Sequence, residues 1–374
     1  MEAENKLHYS MAEPDMGELE RTYMNEAFDS GWISSKGPFI NRFEEKFANF
    51  SRTKYAVSCS NGTTALHLAV KALGIREGDE VIVPNLTFAS PANAVLYEKG
   101  KPVLVDINNE YWGIDPDEIK EKITERTKAI IVVHLYGHPA DMDPIMELAR
   151  EHNLKVIEDC AEAHGATYRS RKVGSIGDVG CFSFYGNKII TTGEGGMITT
   201  NSPEIMEKIR ILRDHGMLPS RRYWHEEIGY NYRMTNIQAA IGLAQMETID
   251  EKIGKRRWIA KKYSEYIGNE AELQREMPWA FNVYWLPTFT VKSIKDEDTR
   301  DRVISILSEN EVESRPVFYP LNEMSPYKSE MSFPNSRFVS YHGISLPVSG
   351  KLNENDIQVI SETFNNAVRK VTLQ

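Results

Sequence analysis

Lys188 lies in FSFYGNKIITTGEGGM (182–197), five residues after Ser183, with isoleucines and glycines close by. An amine in such surroundings loses part of its water, and the neutral form that desolvation favours is nucleophilic, as a Schiff-base lysine requires. Taken alone, the stretch equally suits a solvated surface lysine. VIEDCAEAHGA (156–166) puts Asp159 at the carboxyl end of an apolar run, where an α/β sheet meets its ligand. A turn or capping aspartate is the other reading. His164 in the same stretch reads as a packed or surface histidine and is assigned no chemistry. SNGTTALHL (60–68) sets Gly62, Thr63 and Thr64 where a strand turns into a helix. Free N–H groups and the helix dipole favour a phosphate there, and an ordinary N-cap by Thr63 or Thr64 explains the pattern too. The fourth cluster, RRYWHEEIGYNYRMTNIQAAIGLAQ (221–245), leads an Arg-bearing aromatic loop into a small-residue helix. It suits an anion or close helix packing.

One cofactor unites the four. Pyridoxal phosphate needs a lysine for its aldehyde, a carboxylate for its pyridine nitrogen, and N–H and hydroxyl groups for its phosphate. The chain order is phosphate turn, aromatic, strand-end aspartate, serine, lysine.

The elements expected to position these groups alternate along the chain. Helix TTALHLAVKAL (63–73) is followed by strands DEVIVP (79–84) and PVLVDI (102–107), a helix over 115–125 with Asp115 as N-cap, and a strand over 128–135. A further helix, strand 154–159, strands 179–185 and 195–200, and helices near 203–213 and 235–250 complete the pattern. This rhythm predicts an α/β fold, a large unit with a mostly parallel central sheet flanked by helices. Beyond residue 250 the pattern becomes α+β: a basic helix, a strand FNVYWLPTFTV (281–291), a helix over 296–310, a strand ESRPVF (313–318) and a helix near 354–369. The expected division is 1–250 for the large unit and 251–374 for a smaller one.

Composition narrows the function. Of 374 residues, 44 are Lys or Arg and 54 are Asp or Glu, a net charge of −10, which disfavours nucleic acid as a partner. No apolar run approaches the ~20 residues of a membrane span, and the first residues lack an apolar signal core. Cys59, Cys160 and Cys181 lie far apart and suggest neither a metal site nor a disulfide framework. A reducing cytoplasm is the expected location.

Over nearly the whole chain, from SGWISSKGPFINRFE (30–44) to ISLPVSG (344–350), the sequence resembles the DegT/DnrJ/EryC1/StrS sugar aminotransferases, aspartate-aminotransferase-like enzymes of fold type I. SNGTTALHLA, DEVIVPNLTFAS, VHLYGHPADMDPI, VIEDCAEAHGA, GDVGCFSFYGNKIITTGEGGM and GYNYRMTNIQAAIGLAQ carry the likeness. The resemblance implies that Lys188 binds the cofactor and moves the proton, that Asp159 partners the ring nitrogen and that Phe88 stacks on the ring. It gives Gly62, Thr63, Thr64 and Ser183 to the phosphate, together with Asn231 from the other subunit of a homodimer. Glu162 stands beside the cofactor hydroxyl, where many relatives have Gln. Trp32, Ser34, Ser35, Arg222, Arg315 and Tyr319 are the expected substrate contacts, although Arg315 equally suits a surface salt bridge. No metal is implied.

The implied reaction takes an amino group from glutamate, through pyridoxamine phosphate, to C4 of a nucleotide-linked 4-keto-6-deoxy sugar, first of all GDP-4-keto-6-deoxymannose. A UDP- or dTDP-linked sugar and attack at C3 remain open. A dehydratase of the same fold would carry histidine in place of Lys188, and a non-catalytic binding protein would lack an essential group. A nicotinamide enzyme would show GxGxxG after the first strand.

Overall fold

Buried on both faces, strands such as EVIVP (80–84) need helices above and below them, and that is what their connections supply. The computed structural model describes residues 8–372. Among these, the first nine strands are β1 Tyr55–Cys59, β2 Glu80–Pro84, β3 Lys101–Val105, β4 Thr127–Val133, β5 Lys155–Asp159, β6 Thr167–Tyr168, β7 Arg171–Lys172, β8 Val179–Ser183 and β9 Gly196–Thr200. Seven of them form one sheet in the order β1-β9-β8-β5-β4-β2-β3. β2, β3, β4, β5 and β8 pair in parallel, while β9 runs against both β8 and β1. The mostly parallel sheet expected from the sequence is therefore present, with one reversed strand inside it.

Parallel strands share a carboxyl edge, and the chain leaves it through short loops. β1 runs through Asn61 into the helix Gly62–Ala72, β5 ends on Asp159, and β8 ends on Ser183 just before Lys188. Asp115 caps the helix Pro116–Lys122 as expected, its Oδ1 accepting the Asp117 N–H at 3.0 Å. Two helices ahead of β1, Glu18–Asp29 and Pro38–Ser51, add to the sequence reading. The second buries Phe39, Phe43 and Phe47 at helical spacing, and the Phe47 ring meets those of Phe182 and Phe184.

The later part of the chain adds β10 Glu272–Leu273, β11 Ala280–Phe281, β12 Thr288–Thr290, β13 Arg315–Pro316 and β14 Gly343–Ser345. They make an antiparallel sheet β10-β12-β14-β13, while β11 joins β6 and β7. The residues before it also contribute: Tyr9 bridges Val312 in parallel. Three expectations need correction. FNVYWLPTFTV is not one strand, because only its ends pair. Asn282 Oδ1 accepts the Tyr284 N–H at 2.8 Å, Tyr284 has φ 47°, and Pro287 has no N–H to give. Instead, Trp285 N–H donates to the Tyr136 carbonyl at 2.9 Å, so the segment lies along the 3₁₀ turn Leu135–Gly137. ESRPVF pairs only through Arg315–Pro316. The helix expected over 235–250 stops at Glu247, and after Thr248 a second helix, Ile249–Ile267, leads from one sheet to the other. Among the described residues no helix is long and apolar enough to cross a membrane.

Candidate active site

A cavity of about 740 Å³ opens where the carboxyl ends of the parallel strands meet the segments carrying Trp285 and Phe318. Gly62, Thr63, Thr64, Phe88, Asp159, Glu162, Ser183, Lys188 and Arg315 all line it. Sequence positions from 62 to 315 thus converge on one volume.

At one end is the start of the helix Gly62–Ala72. Its cap is Asn61, not Thr63 or Thr64: Asn61 Oδ1 accepts the Thr64 N–H at 2.9 Å, and the Asn61 N–H donates to Thr64 Oγ1 at 3.1 Å. This reciprocal box settles the first turn and leaves Thr63 for other work. Thr63 Oγ1 and Ser90 Oγ are 2.7 Å apart. A Cβ on Gly62 would come within 2.7 Å of Ser183 Cβ, so glycine lets the helix start approach the end of β8. Free N–H groups, hydroxyls and a positive helix end form a cradle for an anion such as phosphate.

At the other end Lys188 is buried. Its Nζ lies 3.8 Å from Glu162 Oε1 and 3.8 Å from the centroid of the Trp285 ring. Burial lowers the lysine pKa, while Glu162 and Asp159 pull it back up. Burial likewise pushes the Asp159 carboxyl up, against the Ala161 N–H that donates to its Oδ1 at 3.0 Å and against Lys188. Glu162 is pushed up to about 7 by burial, opposed by Lys188 and by the Tyr136 N–H, which donates to Oε2 at 2.7 Å. Two buried carboxyls and one buried amine thus share a pocket, which is where protons move readily. An amine, a buried carboxyl and an anion cradle in one cavity of this size fit pyridoxal phosphate.

Neighbours of Asp159 have other work. Strand alternation turns Glu158 to the opposite face. Its Oε1 accepts the N–H groups of Ile176 and Gly177, both at 2.7 Å, and its Oε2 accepts Gly174 N–H at 2.8 Å and His134 Nε2 at 3.1 Å. His134, Glu158 and Cys160 bring ligand-type atoms within 4.8 Å of one another, yet the carboxylate is filled by N–H donors. His164 lies between the rings of Phe182 and Phe184, and burial pushes it down to about 3, so it packs as a neutral ring. The three cysteines are free and buried.

The remaining expected contacts stand outside this cavity in the single chain. Asn231 Oδ1 accepts Arg233 Nη2 at 2.9 Å, Arg222 lies over the Tyr223 ring, and the Tyr319 hydroxyl accepts Arg300 Nη2 at 3.2 Å. Trp32, Ser34 and Ser35 lie on the loop before Pro38, tied to Asn236, whose side-chain and backbone N–H groups donate to the Trp32 and Ser34 carbonyls. Arg315 does face the cavity and also pairs with Glu313 at 3.0 Å. Sequence reasoning missed Asn61, Tyr136, Trp285 and Phe318. A usable signal for Trp285 was an aromatic run broken by Asn282 and Pro287.

The DegT/DnrJ/EryC1/StrS aminotransferase family matches residues 14–365. The GDP-perosamine synthase of Caulobacter vibrioides is 49% identical over 93% of this chain and 95% of its own. That of Escherichia coli O157:H7 is 45% identical over 94% and 96%. Among solved structures, Spr1654 from Streptococcus pneumoniae in its PMP form superposes with a TM-score of 0.92 at 27% identity, covering 98% of both chains.

Proposed function

The chain belongs to the DegT/DnrJ/EryC1/StrS aminotransferase family, and from that premise we propose that it moves the amino group of glutamate to C4 of GDP-4-keto-6-deoxymannose, giving GDP-perosamine. It is a pyridoxal-phosphate-dependent enzyme. The identity to two GDP-perosamine synthases over nearly full length supports the substrate. The observation that carries the chemistry is the buried amine of Lys188 beside Glu162 and Asp159 in a cavity with an anion cradle.

When bound, pyridoxal phosphate supplies an aldehyde for amines and a ring that accepts electrons. Lys188 Nζ would hold the cofactor, and its amine would carry a proton to and from the reacting carbon. Asp159 would partner the ring nitrogen, and Phe88 would cover the ring. Glu162 would orient the ring hydroxyl. Gly62, Thr63, Thr64 and Ser183 would hold the phosphate, joined by Asn231 from a second copy of the chain. Arg315 clamps the diphosphate of the sugar nucleotide, since guanidinium suits paired phosphate contacts. Tyr319, Arg222, Trp32, Ser34 and Ser35 complete the substrate side.

A cytoplasmic homodimer with shared sites belongs to this reading. Placement of Asn231, Arg222 and Trp32 outside the chain's own cavity supports it, as do the exposed apolar side chains Phe28, Trp32, Ile33 and Ile228. A division into 1–250 and 251–374 also belongs to this reading, its boundary falling in the first turn of the helix Ile249–Ile267. The product serves surface polysaccharide such as O-antigen. Incubation with glutamate and a panel of GDP-, UDP- and dTDP-linked 4-keto and 3-keto sugars, read by mass spectrometry, tests the assignment. Amination of the GDP-linked 4-keto sugar is the expected result. Preference for another nucleotide would overturn the substrate, and amination of none would overturn the function.

A further inference from the structure

The Trp285 ring faces Lys188 Nζ at 3.8 Å from its centroid, and the surrounding chain holds it there. The indole Nε1 donates to the Asn187 carbonyl at 2.8 Å. Arg256, buried on the helix Ile249–Ile267, donates Nη1 to the Trp285 carbonyl and Nη2 to the Lys188 carbonyl at 3.3 Å. Behind the indole, the Tyr136 ring stacks at 5.9 Å and 15°, and Phe318 stacks on Tyr136 at 5.5 Å and 15°. The backbone of the lysine segment and the face of the indole are thus tied by one guanidinium and one indole N–H.

We propose that Trp285 is a positioning residue for Lys188: its ring face receives the free amine and holds it as an ammonium ion, with Arg256 clasping the two segments in register. The inference rests on Lys188 being the amine that binds the cofactor. Charged groups facing that amine are Asp159 at the end of β5, Glu162 in the turn just beyond it, and Arg256; His164 nearby is neutral. Burial and Arg256 work against the ammonium form, while the two carboxyls favour it. A desolvated cation over an indole face gains most from the ring quadrupole, so Trp285 adds to the carboxyls' side. That matters in the half of the cycle when the lysine is free. The group must then keep a proton, next to the reacting carbon, until it is delivered.

The test uses cofactor-free protein and the pH dependence of its capture of pyridoxal phosphate, followed by absorbance. Only the neutral amine captures the aldehyde, so the midpoint reports the acidity of Lys188. Trp285→Met fills the slot without a ring face, and Trp285→Leu serves where methionine is not tolerated. Either is expected to lower the midpoint by about 0.5–1.5 pH units, whereas Trp285→Phe stays close to the parent. An unmoved midpoint in the methionine or leucine variant, with only a lower melting temperature, would overturn the proposal. Equal shifts in the phenylalanine and methionine variants would also overturn it. The Lys188→Ala protein separates the two readings: if it captured the cofactor with the same absorbance change, the assignment of Lys188 itself would fail.

Discussion

At the scale of single residues, the buried triad of Lys188, Glu162 and Asp159 makes distinct demands. Lys188→Ala is expected to lower turnover by about 10³-fold or more, since among the described residues no other amine lines the cavity to replace both its binding and its proton transfer. Unchanged circular dichroism with lost amination would bear this out, and residual turnover near the parent would refute it. Glu162→Gln has a pH signature. The carboxyl ionises near 4.5 in an unfolded chain and at about 7 in the fold. Between these values the native state binds the extra proton, so this group makes stability fall as pH rises. Glutamine cannot ionise. The melting temperature of the cofactor-free variant should therefore gain on the parent from pH 4.5 to about 7. A constant gap across that window would show that Glu162 ionises as it does in solution.

At the scale of elements, the start of the helix Gly62–Ala72 carries both stability and binding. Asn61→Ala removes the cap bond to Thr64 and should cost about 1 kcal/mol by denaturant unfolding. Gly62→Ala pushes a methyl toward Ser183 Cβ, which should cost about 1–3 kcal/mol and weaken cofactor retention during dialysis. Full retention would place the phosphate elsewhere. The strand ends that bear Asp159, Ser183 and Lys188 were legible in the sequence because each follows a buried apolar run, and a run of that kind can hardly be anything but a covered strand. Trp285, Tyr136 and Phe318 were not legible as a stack. They come from three separate segments, and the 282–287 segment takes its shape from Asn282, Pro287 and the turn it lies against, not from alternation. The N-cap was misread for a related reason: Ser60, Asn61, Thr63 and Thr64 are all good caps, and only geometry selects Asn61.

At the scale of the whole molecule, the proposed shared site can be tested by mixing two inactive proteins. Lys188→Ala and Asn231→Ala, allowed to exchange subunits, should recover a fraction of activity, because one site of the mixed dimer has both residues intact. No recovery despite demonstrated exchange, with Asn231→Ala alone inactive, would mean that both groups serve one site from one chain. Against a net charge of −10, Arg221 and Arg222 in the loop 221–236 are cations placed to meet an anionic ligand at that shared site.

Glu158 has a consequence far from catalysis. The loop between β7 and β8 has no ladder of its own, yet the amides of Gly174, Ile176 and Gly177 all end on this one carboxylate. Gly174 is buried and Ile176 and Gly177 are half-buried, but the carboxylate that holds all three protons is itself fully buried. In deuterium exchange, this loop should therefore label as slowly as β5, and Glu158→Gln, which forfeits acceptor capacity, should release the three amides together. An irregular segment can in this way belong to the most slowly opening part of the fold, its lifetime set by a single side chain.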